Sequence, residues 1–209
     1  MKRNYLFAGI LFCTFFVCLG VCTLFAESDA KEIRESVLRF HIVANSDSEK
    51  DQADKLAVRD GIASLCSELF YSSEDKKTAM QKAQDNCDAI VSKASEILAL
   101  RGSDNTVSAD VTQRFFPTRH YDGVSLPAGV YDTVDITIGE GQGKNFWCVM
   151  FPDICVGASG ARTNYEKMSG VLDGDSLEMA TDSKNIKVQF KFKLVELFEN
   201  IKNLFSAAP

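Results

Sequence analysis

The sequence predicts an α+β domain, with a mainly antiparallel or mixed sheet of about four or five strands and two long helices packed on one face. Three observations predict this class. Several short segments after residue 37 alternate apolar and polar side chains, which is the period of a strand. Two long segments between residues 49 and 102 instead repeat apolar side chains every three or four positions, as a helix covered on one side does. Both helices precede all strands but the first, so helices and strands do not alternate one by one.

A basic, apolar leader precedes this domain. Lys2 and Arg3 are followed by an uncharged run that extends to Ala26. Such a leader is typical of a signal peptide or a signal anchor, and the run is long enough to span a bilayer. Because the basic end stays inside, we expect residues 27–209 to be exported, and to be either secreted or anchored by residues 1–26.

A polar connector, residues 27–36, leads to a first strand over residues 37–44 and then to a polar turn. Ser48 is the best N-cap candidate for the helix that follows, and Asp51 three positions later completes an imperfect capping box. Polar side chains crowd this strand end and the first helical turn. They are Arg39, His41, Asn45, Ser46, Asp47, Asp51 and Gln52. Their local chemistry indicates a capped helix and a solvated strand face.

Two helices are predicted next, one over residues 49–70 and one from residue 73 to a stop at Gly102. Their apolar stripes include Cys66 and Cys87. In an antiparallel helix hairpin these two positions would be offset by about 10 Å, at 1.5 Å per residue, which is too far for a disulfide. We therefore predict two buried free thiols.

Strands resume after the second helix. We predict strands over residues 107–113, 130–138 and 146–151, and the last is so apolar that we expect it at the centre of the sheet. The long loop between the first two strands holds two prolines and two glycines, and loops of this length are usually functional or mobile. It carries a second polar group, namely Arg119, His120, Tyr121 and Asp122. The glycine-rich run 139–145 is expected to be a hairpin loop.

The C-terminal region combines different patterns. Residues 157–185 are rich in Gly, Ser and Asp and are predicted to form a flexible loop region. Residues 186–193 alternate as a strand, and from Leu194 the spacing becomes that of an amphipathic helix. This C-terminal tail, residues 186–209, could dock on the domain, lie on a membrane surface or meet a partner.

The sequence offers little catalytic or cofactor chemistry. A net charge of −6 disfavours nucleic acid as a partner. His41 and His120 are the two histidines and neither has a nearby Cys or His, so we predict no metal site and no cofactor. The run 139–145 fails as a phosphate loop, because Asn145 stands where Ser or Thr is required. A pair of Cys148 with a histidine would need a thiolate in an apolar strand, where it is disfavoured.

Cys148 and Cys155 flank a turn, so a short-loop disulfide between them is predicted in an oxidising compartment. The residues leave two interpretations besides a binding or signalling protein. One is a secreted cysteine-dependent or metal-dependent hydrolase. The other is a membrane-tethered structural protein of the envelope.

Several segments resemble the stage II sporulation protein R family of endospore-forming Firmicutes. They are LRFHIVANSDS at residues 38–48, LPAGVY at 126–131 and GEGQGKNFWCVMFP at 139–152, with shorter matches at 51–60 and 115–121. The resemblance covers residues 37–156. A match of this length is far more specific than a single short motif.

The resemblance implies a protein that is made in the forespore and exported to the space between the two septal membranes. There such a protein acts as an intercellular signal. It activates a membrane-bound aspartic protease of the mother cell, stage II sporulation protein GA, which then cleaves the sigma-E precursor. The resemblance carries over no catalytic residues, and we expect both polar groups to face the protease.

Overall fold

The computed structural model describes residues 2–70, 73–154 and 161–206. Its elements follow one another along the chain as α1 (Lys2–Ser36), β1 (Leu38–Val43), α2 (Glu49–Phe70), α3 (Lys76–Asp85), α4 (Cys87–Leu100), β2 (Val107–Phe116), β3 (Arg119–Tyr121), β4 (Val124–Leu126), β5 (Gly129–Ile138), β6 (Asn145–Phe151), α5 (Ala161–Met168), α6 (Gly174–Thr181) and α7 (Ile186–Ser206).

The main sheet has the strand order β2-β5-β1-β6, and β3 pairs with β4 in a separate hairpin. β1 is parallel to β5 and antiparallel to β6, while β2 and β5 are antiparallel. The predicted α+β class and mixed sheet are therefore confirmed. Strand β1 lies inside the sheet, and all six of its residues are buried.

Helices cover both faces of the sheet. Alternate side chains of β1 point to opposite faces, and each set is buried by a different group of helices. Leu38, Phe40 and Ile42 pack in one apolar cluster with side chains of α2, α3 and α4. Val37 packs in a second cluster, on the other side, with side chains of α1, α6 and α7. The leader and the helical spacing from Leu194 indicated parts of α1 and α7, whereas helix α6 on this second face was not predicted.

The cap predicted for α2 is confirmed, since the backbone N–H of Asp51 donates to Ser48 Oγ at 3.1 Å. The second predicted helix is interrupted and forms α3 and α4, which meet at Asn86. Asp75 caps α3 by accepting a hydrogen bond from the N–H of Thr78 at 2.7 Å. Residues 71 and 72 lie outside the described part of the chain.

Strand β6 is at an edge of the sheet, so the prediction of a central strand was wrong. Its apolar character has another cause. Val149 packs in the cluster on one face, while Cys148 and Met150 pack in the cluster on the other. Helices thus bury both faces of an edge strand, which produces the same nearly continuous apolar run as a central position.

The run between β5 and β6 is not a hairpin loop, because β1 lies between these two strands. Residues 139–144 instead cross the end of β1. Loop length and glycine content indicate a turn but do not reveal which strands pair. The hairpin prediction was therefore wrong.

The predicted strand at residues 186–193 is the beginning of helix α7. Val188, Phe192 and Val195 are buried, and their spacing of four and three residues is that of one helical face. Ile186 and Phe190, which complete the alternating pattern, are 82% and 52% exposed. The alternation therefore arose from two different faces of a helix.

One further prediction, of a flexible segment, needs correction. The segment predicted as a flexible loop, residues 157–185, contains helices α5 and α6, while residues 155–160 lie outside the described part. The connector 27–36 is helical and continuous with the leader in α1. Ala26, Ala30 and Ile33 of α1 are fully buried in the second apolar cluster, so the end of α1 belongs to the domain core.

Candidate functional site

The polar turn after β1 and the loop 139–144 form one hydrogen-bonded unit, which we call the turn–loop junction. Two backbone bonds join them, from Gln142 N–H to the carbonyl of Asn45 (3.1 Å) and from Gly143 N–H to that of Ala44 (2.9 Å). Asn45 Oδ1 also accepts from the N–H of Glu140 at 3.0 Å. The turn residues thus hold the loop as it passes over the strand end.

Asp47 and Lys55 fix the other end of the loop. Asp47 Oδ1 accepts from the N–H of Lys144 at 2.7 Å, and Lys55 Nζ donates to the carbonyl of Lys144 at 2.8 Å. Lys55 Nζ also donates to Gln52 Oε1 at 2.7 Å, and burial lowers the pKa of Lys55. Two residues of the first polar group and one lysine therefore stabilise the same backbone turn.

Asp51 supports the junction from helix α2. Its carboxylate accepts from Ser46 Oγ at 2.5 Å and from Asn45 Nδ2 at 2.9 Å. These hydrogen bonds lower the pKa of Asp51, because they favour its charged form. Gln52 Nε2 adds a bond to the carbonyl of Ser46 at 2.8 Å. The capping residues of α2 and the polar turn are therefore one network.

Glycines make the close approach of the two segments possible. Gly139 has φ +57°, in the left-handed region, and a Cβ there would overlap the Asn45 side chain. A Cβ at Gly143 would overlap the backbone carbonyl oxygen of Ser46, which cannot move away without breaking the turn. These glycines serve the contact with the turn.

His41 lies fully buried beneath the junction and hydrogen bonds through both ring nitrogens. Nδ1 contacts the carboxylate of Asp135, and Nε2 lies 2.8 Å from Asn145 Oδ1. Its ring stacks against Trp147 with the centroids 4.3 Å apart. Arg114 Nε donates to the same carboxylate at 2.9 Å. Burial raises the pKa of Asp135, but the bonds from His41 and Arg114 outweigh it and hold that pKa below its usual value.

Arg39 is also fully buried, and no carboxylate among the described residues pairs with it. Nε donates to the carbonyl of Cys148 at 2.9 Å, and Nη2 donates to the hydroxyl of Tyr121 at 2.6 Å. The guanidinium lies 4.1 Å from the ring centroid of Phe116 and 4.9 Å from that of Tyr131. Burial lowers the pKa of Arg39, and the aromatic faces compensate part of the cost of burying its charge.

The second polar group lies on β3 and the turn that follows. Tyr121 connects it to the first group through Arg39, and the Arg119 guanidinium lies 5.6 Å from the ring centroid of Trp147. His120 is exposed and its Nδ1 lies 2.8 Å from Ser125 Oγ. The carbonyl of Asp122 accepts from Asn164 Nδ2 at 2.7 Å. The sequence predicted two separate polar groups, and in the structure both groups lie against Trp147.

Burial divides the predicted partner-binding residues. Arg39 and His41 have no exposed surface, so neither side chain can touch a partner in this conformation. Asp47, His120 and Asp122 are exposed. Partner binding by the exposed residues stays a prediction.

Sequence reasoning missed Asp135, Arg114 and Trp147. Asp135 faces His41 directly in the parallel register of β1 and β5. The available signal was that Asp135 is a second charged residue, after Asp132, within one predicted strand. As expected from strand geometry, Asp132 lies apart from Asp135, and it pairs with Lys76 at 2.6 Å.

The cysteines bear on the hydrolase interpretation. Cys148 is disulfide-bonded, so it offers no thiolate to a histidine. Cys155 lies outside the described residues, and its pairing with Cys148 stays a prediction. Cys66 and Cys87 are free, as predicted; Cys66 is buried, whereas Cys87 is only half-buried. No group of three or more potential metal ligands occurs among the residues that the structure describes.

Comparison with known proteins points to one family. A family model described as stage II sporulation protein R matches residues 34–160. Stage II sporulation protein R of Bacillus subtilis (strain 168) is 32% identical over 130 residues, which are 62% of this chain and 58% of that relative. The similarity therefore spans less than two thirds of the relative's length. No solved structure matches.

Proposed function

This chain belongs to the stage II sporulation protein R family, and from this premise we propose that it is an exported forespore-to-mother-cell signal. In this proposal the exported domain activates stage II sporulation protein GA, the membrane-embedded aspartic protease that cleaves the sigma-E precursor. The observation that carries it is the turn–loop junction. Two of the segments that resemble the family, residues 38–48 and 139–152, hydrogen bond to each other there and present an exposed loop.

Export is supported by helix α1. Its segment Gly9–Ser36 is long and apolar enough to cross a membrane, and it lies near the N-terminus. A helix of this kind is compatible with a signal sequence or a membrane anchor. We propose that it takes the domain across the forespore membrane into the intermembrane space of the septum.

We further propose that the loop of the junction contacts the protease. The side chains of Glu140, Gln142 and Lys144 are exposed, while their backbone is held by the turn. An ordered loop loses little conformational entropy on binding, which favours affinity. Asn45 and Asp47 then act by holding this loop, whereas Glu140, Gln142 and Lys144 act by touching the partner.

Co-expression of this protein, the protease and the sigma-E precursor tests the proposal, with precursor cleavage as the readout. The triple substitution Glu140→Ala, Gln142→Ala and Lys144→Ala removes the exposed side chains and keeps the backbone bonds. We expect cleavage to be lost while the melting temperature stays that of the unmodified protein. The matched control, Lys93→Ala with Glu96→Ala, removes an exposed ion pair on α4 and should leave cleavage unchanged.

Two results would contradict the proposal. Full cleavage with the triple variant would show that the loop side chains are not the contact. Precursor cleavage by the exported domain without the protease would favour the hydrolase interpretation instead.

A further inference from the structure

Helix α7 leaves large apolar side chains exposed. Its buried stripe ends at Glu199, which is 2% exposed. Beyond and beside this stripe lie apolar residues with exposed fractions from 45% to 80%: Leu197, Ile201, Leu204 and Phe205. A contiguous apolar surface of this kind marks contact with a partner or a membrane.

Helix α1 determines where this surface points. Lys191 Nζ pairs with Asp29 Oδ2 at 2.8 Å, and further along α7 both Glu199 and Lys202 interact electrostatically with Glu27. Residues later in α7 thus lie near residues earlier in α1, so the two helices are antiparallel. At 1.5 Å per residue, the end of α7 therefore runs beside the apolar leader rather than the domain.

The leader also exposes apolar side chains next to the point where it leaves the domain core. On α1, packing against the domain core reaches back as far as Leu19. Next to that contact, Val21, Leu24 and Phe25 are 45%, 71% and 67% exposed. The end of α7 and the leader beside it thus both expose apolar side chains, and we call these residues together the two-helix apolar face.

We propose that the last turns of α7, residues 197–206, lie in the outer leaflet of the bilayer beside α1, so that the chain contacts lipid through two helices. The proposal rests on the export proposed above, with α1 retained as a membrane anchor. A lipid surface fits because the leader beside the end of α7 is itself apolar, exposed and long enough to cross a membrane. Lys202 is 57% exposed at its side chain and can reach the headgroups while its stem stays in the apolar layer.

This second contact would set the orientation of the domain. A single helix lets a domain rotate about the membrane normal and tilt, whereas two contacts fix its tilt. The end of α7 lies outside the matched region 34–160, so the family match does not cover this second membrane contact.

Tryptophan scanning of the full-length chain in lipid vesicles tests the inference. Three single variants are compared in vesicles with and without bromine on the lipid acyl chains: Phe205→Trp, Leu11→Trp as the leader reference and Leu100→Trp as the matched control. Phe205 and Leu100 are almost equally exposed, 80% and 81%, but Leu100 ends α4 on the opposite side of the sheet. The natural Trp147 gives the same background in every variant.

We expect brominated lipid to quench the added tryptophan in Phe205→Trp and Leu11→Trp and to leave Leu100→Trp unquenched. Leu204→Trp serves as a second reporter of the same face. Quenching of Leu11→Trp alone would overturn this inference and leave the membrane location of α1 standing. Loss of quenching at both positions would overturn the two together. Concentration-dependent self-association without lipid quenching at Phe205→Trp would assign the face to a second copy and reject the lipid contact.

Discussion

Removing the carboxylate of Asp135 should destabilise the domain strongly, because it leaves His41 buried with one ring nitrogen unpaired. The side chains of His41 and Asp135 are 0% and 10% exposed. Deleting one partner of such a buried pair costs roughly 3–5 kcal/mol. The contact of Asp135 with Arg114 adds little, because Arg114 is 40% exposed and exposed pairs contribute only about 0–1 kcal/mol.

We therefore expect Asp135→Ala to lose about 3 kcal/mol of unfolding free energy. For a chain of this length that corresponds to a fall of roughly 6–12 °C in the melting temperature. Differential scanning calorimetry of the full chain measures it. Asp110→Ala is the matched control, since Asp110 faces Asp135 across the β2–β5 pair but is exposed, so its removal should change little.

The pH dependence gives a second measurement. The pKa of Asp135 is lowered in the folded protein, so Asp135 contributes to the unfolding free energy at pH values above its pKa in the unfolded chain. It is lost as the pH falls through the lower, folded pKa. The difference in stability between the unmodified protein and Asp135→Ala should thus be full near neutral pH and shrink below about pH 4. A melting temperature of Asp135→Ala equal to that of Asp110→Ala would refute the reasoning.

Two further predictions concern the junction and the core. Gly143→Ala should lower the unfolding free energy by about 1–3 kcal/mol in urea titrations, since the added Cβ meets the Ser46 carbonyl oxygen. The control is Gly170→Ala, where a Cβ has ordinary contacts. Equal stability of the two variants would disprove the overlap. Burial raises the pKa of Cys66 to about 12, so iodoacetamide at about pH 8 should leave Cys66 unmodified until the chain is unfolded in urea. Peptide mass mapping reports the modification, and rapid labelling of Cys66 in the folded protein would contradict its burial.

Local patterns predicted the elements that depend on neighbours in sequence. The cap at Ser48 needs only residues within one helical turn, and the strand at β1 needs only alternation, so both were predictable. The leader was equally clear, because an uncharged run after Lys2 and Arg3 requires no tertiary contact to recognise.

Tertiary packing decided what local patterns left open. Residues 186–193 fit both a strand and a helix, and burial of Val188 and Phe192 by the domain selected the helix. Strand β6 has the apolar sequence of a central strand because helices cover both of its faces, while its hydrogen bonding places it at an edge of the sheet. Arg39 and His41 alternate with apolar residues as a solvated face would, yet both are buried against aromatic side chains of other strands, such as Phe116. The spacing of apolar residues indicates which side chains lie on the same face of one helix or strand. Only the folded chain determines what packs against that face.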